Sequence, residues 1–189
     1  MKTQVRNKKG FKKKLNDGVR ARGFYRMQIE EDGNILGDSG WLPNQVTNDG
    51  FKLYLADNIG KSSGSKQIAY VALGTGGAPA ATDTTLAGEI MSSTQRKAVT
   101  YSNVSSKTAQ FVATFASSDS FITATANISN IGLFATTTTS DTLFAGNTYA
   151  SSSLATNQNV NITYQVRFSI FVLLALLSSA LLGISNLVS

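Results

Sequence analysis

Between residues 96 and 168 the sequence is cut into short runs of β-forming residues by Ser, Thr, Asn, Gly and Asp, a cadence that constrains the chain to a mainly β fold. The runs fall at 96–101, 108–115, 129–135, 142–149 and 160–168, the spacing of an antiparallel β-sandwich. In the second run Ala109, Phe111, Ala113 and Phe115 alternate with Gln110, Val112 and Thr114, which gives one core face and one outer face. Upstream, Phe24-Tyr-Arg-Met-Gln-Ile-Glu30 and the stretch from Asn34 to Trp41 flank Asp32-Gly33, a pair that suits the positive backbone angles of a tight hairpin turn.

Thr47, Asn48 and Asp49 offer capping oxygens ahead of Phe51, Leu53, Tyr54, Leu55 and Ile59, so one short helix ending near Gly60 is expected, with its apolar face on a sheet. A flexible loop over 61–66 and an apolar strand over 68–73, buried on both faces, should follow. The glycine-rich stretch 74–83 lacks the Gly-Lys-Ser/Thr of a phosphate loop and the full glycine spacing of a dinucleotide-binding turn, so it reads as a plain loop.

Charge is concentrated at one end. Residues 1–26 hold ten basic side chains against Asp17 alone, a net +9, while the remainder carries seven basic and ten acidic residues, a net −3. Residues 1–22 have too few apolar side chains to offset the entropy of ordering and read as a basic, mobile arm. Lys8, Lys9, Lys12, Lys13, Lys14, Arg20 and Arg22 are the arm's candidate contacts, either with an acidic protein partner or with nucleic acid, whose phosphates such an arm neutralises without a defined fold. At the other end, residues 168–189 carry no charge. Leu173, Leu177, Ala180, Ile184 and Leu187 in residues 169–189 follow a four-three spacing that suits a helix packed in an oligomer. A stretch of this length at about 1.5 Å per residue also nearly matches the roughly 30 Å of a bilayer's hydrocarbon, so insertion in a membrane is the alternative.

The absence of histidine and cysteine removes Ser-His-Asp, Cys-His and zinc-hydrolase chemistry, and no cofactor or metal is expected. Carboxylate chemistry of the glycosidase kind survives on paper. Its candidates are Glu30, Glu31, Asp32 and Glu89, the first three of which read as solvated charges at the hairpin turn. Trp41 ends the hairpin and reads as a core cap, with a sugar platform as the sharper alternative.

Two stretches carry a family resemblance. The first is Gly23-Phe-Tyr-Arg-Met-Gln-Ile-Glu-Glu-Asp-Gly-Asn-Ile with Gly40-Trp-Leu-Pro-Asn-Gln-Val-Thr-Asn-Asp-Gly-Phe51. The second is Ile68-Ala-Tyr-Val-Ala-Leu-Gly-Thr-Gly with Pro79-Ala-Ala-Thr-Asp-Thr-Thr-Leu86, followed by Ile131-Gly-Leu-Phe134 and Leu143-Phe-Ala145. Over 23–168 these resemble a β-sandwich domain of tailed-bacteriophage virion proteins, of the tail-fibre, appendage or decoration type. The resemblance implies a non-enzymatic subunit, assembled in the host cytoplasm into the virion, whose partners are copies of itself and other virion proteins. A membrane-associated or nucleic-acid-contacting capsid protein, using the apolar tail and the basic arm, is the competing expectation.

Overall fold

The structure, a computed structural model, describes residues 17–60, 62–90, 96–138 and 140–172. Contacts divide the chain into a body, 21–168, and a unit made of 1–20 and 169–189. Of that second unit the described residues are 17–20 and 169–172, which belong to the first and last strands.

The body is mainly β and antiparallel, with one short helical segment. Among the described residues ten strands occur in the order β1 (Asp17–Glu31), β2 (Asn34–Asp38), β3 (Leu42–Val46), β4 (Tyr70–Gly74), β5 (Lys97–Ala98), β6 (Thr100–Ser105), β7 (Thr108–Phe115), β8 (Ala126–Phe134), β9 (Ala145–Leu154) and β10 (Asn159–Val172). They hydrogen-bond in the sequence β5-β4-β8-β9-β3-β1-β10-β7-β6, with β2 beside β1. Two halves share one core: the β4, β8 and β9 half contributes Val71, Leu73, Ile131, Leu133 and Leu154, while β1, β7 and β10 contribute Tyr25, Met27, Phe111, Ile162 and Tyr164.

The halves join at a ladder of only two pairs, Gln45↔Gly146 and Val46↔Ala145. At the far ends β5 and β6 are separated by Val99 alone, so the ladder nearly closes on itself. The run expected as one strand over 96–101 is therefore two. Lys97 and Ala98 pair with Val71 and Tyr70, and from Thr100 onward the chain pairs with β7.

The hairpin forms as expected. Asp32 (φ 49°) and Gly33 (φ 79°) occupy the left-handed turn positions, and Glu31 pairs with Asn34. β7 matches 108–115, and β4 is buried at Val71, Ala72, Leu73 and Gly74. Other boundaries move. β8 begins three residues before 129, and β9 omits 142–144 but runs through Ser151, Ser152 and Ser153, of which Ser152 and Ser153 pair with β8 instead of forming a linker. Cross-strand hydrogen bonds override the weak β preference of serine there. β1 starts at Asp17, so Arg20 and Arg22, counted with the arm, are strand residues. β3, which contains Pro43, was not anticipated; Pro43 faces Phe24 on the outer side.

The helix starts where its cap predicts. The Gly50 amide donates to Thr47 Oγ1 at 2.9 Å, and the chain winds as a π-helix over Gly50–Ala56 and as an α-helix over Asp57–Ile59. Only part of the expected apolar face is covered. Tyr54 is buried and Leu53 and Leu55 are half-buried, but Phe51 and Ile59 are exposed. Thr47 itself is fully buried, its hydroxyl donating to Leu143 O at 2.6 Å, so the cap also ties the helix to the segment entering β9.

Candidate functional site

A concavity of the body lies between the helix and the inward face of β6, β7 and β10. Period-2 alternation creates its sheet wall: Phe111 and Ala109 on β7 pair with Tyr164 and Val166 on β10, and Tyr101 on β6 pairs with Phe111. Tyr54, Leu55 and Asn58 of the helix and the strap Lys66, Gln67 and Ile68 form the opposite wall, enclosing about 460 Å³. The strap is held by Asn58 Nδ2, which donates to Tyr54 O at 2.8 Å and to Lys66 O at 2.5 Å. Tyr54 is fixed by its own hydroxyl, which donates to Thr142 O at 2.6 Å.

This sheet wall is core-type surface without a full cover. Tyr101 points the way a core residue would, its ring 5.6 Å from that of Phe111, and is nevertheless 59% exposed. β6 sits at the end of the ladder, with β7 as its hydrogen-bonded neighbour. Among the described residues lining the cleft, Lys66 is the one charged side chain, and its ammonium is bound to the Asp141 carboxylate. Burial pushes the Tyr54 phenol above its ordinary range, and the nearby Asp141 charge adds to the effect. The cleft therefore offers apolar contact rather than a proton donor and acceptor pair.

Behind the strap lies a buried ionic cluster. Asp141 accepts the Ala135 and Thr136 amides at 2.7 Å each as well as the Lys66 ammonium. Desolvation raises the Asp141 carboxyl, but Lys66 and the two amides outweigh it and hold the group below the usual carboxylate range. Arg96, with its side chain fully buried, binds Glu89 through Nε at 2.7 Å and Nη2 at 3.0 Å, donates to Thr136 O at 3.2 Å, and lies 3.3 Å above the Phe134 ring centre. The four formal charges cancel, and the cluster fastens the strap, the segment before β5 and the turn after β8 to one another.

The sequence-level candidates scatter. Glu30 accepts from Asn161, Glu31 accepts from Asn157 and Gln158, Asp32 stands at the hairpin tip, and Glu89 is committed to Arg96. These carboxylates do not share a site. Trp41, expected as a core cap, is 42% exposed on the outer surface, where Arg167 lies 5.5 Å from its ring centre and 4.4 Å from that of Phe24. The glycine-rich loop folds back on residues 87 and 88. The Thr75 and Gly76 amides donate to Gly88 O and Ala87 O, while Asn130 Nδ2 donates to Gly77 O and Ala87 O. A Cβ at Gly76 would meet Ala87 O at 2.4 Å, so close packing explains that glycine.

Arg22 is exposed on β1 beside Phe24, and Arg20 is on the same strand. Lys8, Lys9, Lys12, Lys13 and Lys14 lie outside the described residues, as do Leu173, Leu177, Ala180, Ile184 and Leu187. Residues 169–172, counted with the helical tail, are the last of β10 instead. Among the described residues no group of acidic side chains is placed to hold a metal ion, and no helix is long and apolar enough to cross a membrane. Sequence reasoning missed the cleft. The alternation in 108–115 marks Ala109 and Phe111 as inward, but that Tyr101 shares their face depends on the β6–β7 register, which no local pattern carries. Comparison with protein-family models, with curated proteins and with solved structures gives no match to this chain.

Proposed function

We propose that this chain is a non-enzymatic structural subunit that works by self-association in many copies, within a virion, as a tail-fibre or appendage, adaptor or head-decoration component. The observation that carries the reading is the cleft under the helix: a wall of core-type side chains left open, with Tyr101 59% exposed. Surface of that kind favours burial against protein. The resemblance over 23–168 supplies the setting. Its partners are further copies of itself and other virion proteins.

The test is the mass of the purified full chain by light scattering in detergent-free buffer. A discrete oligomer is expected, and a monomer at every accessible concentration sinks the reading. A second reading rests on the two ends of the sequence, +9 over residues 1–26 and no charge over 168–189, and makes the chain a membrane-associated or nucleic-acid-contacting capsid protein. Flotation with anionic liposomes in place of soluble assembly is the outcome that would favour it.

A further inference from the structure

We infer that the cleft between the helix and the β6–β7–β10 face is the receptacle for the uncharged apolar stretch 173–189 of a second copy of this chain. The inference rests on the self-association proposed above and names the surfaces that carry it. Three observations select this occupant.

The first is chemical. The cleft presents apolar side chains from both walls, and its one charged lining residue, Lys66, is already neutralised by buried Asp141. An incoming segment gains by bringing apolar groups and no charge. Residues 173–189 contain Leu173, Leu174, Leu176 and Leu177 within five positions and no ionisable side chain. The second is exclusion of the other end. Residues 1–16 carry seven basic side chains, which would bring unpaired cations against an apolar wall next to another cation. The third is continuity. β10 supplies Val166 and Phe168 to the cleft and stays extended through Val172, with no turn between Phe168 and the start of the segment. An extended exit favours delivery to a neighbour over a return to the strand's own cleft, and reciprocal delivery gives a closed set of equivalent contacts.

The chain contains no cysteine, so introduced thiols report without background. Three sets of full-length variants are needed: Ala109→Cys in the cleft, Leu173→Cys, Leu177→Cys or Ala180→Cys in the tail, and each tail substitution combined with Ala109→Cys in one chain. Each tail variant is mixed with Ala109→Cys, equilibrated and oxidised. The expected result is a disulfide-linked pair of chains, one of each kind, in at least one mixture, several-fold above the dimer that either variant forms alone. Disulfides that form only inside a doubly substituted chain would overturn the inference, because the cleft would then take its own chain's tail. No disulfide in any mixture would overturn it too. In that case light scattering of the unsubstituted chain separates the two ideas: a persisting oligomer leaves the subunit reading standing and removes only this contact, whereas a monomer removes both.

Discussion

Replacing Asp141 with alanine isolates the cluster that holds the cleft's strap in place. The carboxylate is 2% exposed and accepts two amides at 2.7 Å in addition to Lys66 and a longer contact of 3.8 Å from Arg96 Nη1. Alanine leaves the Ala135 and Thr136 amides without an acceptor, and each buried unpaired donor costs on the order of 1–3 kcal/mol. Lys66, at 27% exposure, can turn to solvent, and Arg96 keeps Glu89, so the loss stays near the lower end of the usual penalty for breaking a buried pair, about 3 kcal/mol. For a domain of this size that corresponds to a fall of about 6–12 °C in the thermal midpoint followed by circular dichroism.

The same group fixes a pH window. Its pKa is depressed by folding, so its contribution is complete above the ordinary unfolded value of about 3.9 and disappears as pH falls through the lower folded value. The difference between the unsubstituted protein and Asp141→Ala should be constant from neutral pH down to about 5 and shrink below about 4. Arg26→Ala breaks an exposed pair with Asp38 and serves as the control; its midpoint should barely move. A loss under about 1 kcal/mol for Asp141→Ala, or a difference that does not narrow in acid, would refute the assignment of the cluster as a clamp.

Gly50→Ala tests whether close approach outranks helix propensity. Alanine favours a helix by about 1 kcal/mol, but its Cβ would sit 2.1 Å from Phe144 O, so a net loss of roughly 1–3 kcal/mol is expected in urea titrations. Tyr164→Phe should be neutral or stabilising in the same assay, because the ring is fully buried and its hydroxyl has no hydrogen-bond partner among the described residues. In alkaline spectrophotometric titration Tyr25, pushed up to about 12 by burial, and Tyr54, Tyr149 and Tyr164, raised further still, should ionise only as the fold is lost. Four of the six tyrosines ionising together near the ordinary value of about 10, with the fold intact, would contradict the burial of these rings.

Much of the strand content was legible because alternation is a local signal. Ala109, Phe111, Ala113 and Phe115 declare one face, and Asp32-Gly33 declares a turn, without reference to anything distant. What failed was non-local. The serine run before Leu154 forms a strand only because Ala126, Asn127 and Ile128 lie beside it, and the break at Val99 exists because its flanks pair with β4 and β7, at opposite ends of the ladder. Arg96 looked like the first residue of a strand; its burial depends on Glu89, Thr136 and Phe134 converging from two other segments. The cleft was illegible for the same reason, since each of its walls is ordinary and only their juxtaposition is informative.

Near-closure of the ladder narrows how such a body can associate. Open sheets offer edges, and copies can join by adding strand to strand. Here one end strand, β5, is two residues long, and the other, β6, has six residues and a register that shifts between Asn103 and Ser105, so the edges along the main path are short or irregular. β2, the side strand, has five residues and holds β1 through a register that shifts between Ile29 and Glu30, an irregular edge poorly suited to extension by a partner. With edge pairing disfavoured, association must use faces or donated segments. The faces of β1 and β10 carry Arg26, Gln28, Glu30, Asn161 and Arg167, polar groups already engaged with one another or with neighbouring side chains. Among the described residues the cleft under the helix is one apolar, incompletely covered surface, and the uncharged, leucine-rich stretch 173–189 has a composition complementary to it. Under the proposed exchange, near-closure of the ladder would limit indiscriminate edge pairing, while the donated segment would supply a route specific to another copy of the same sequence.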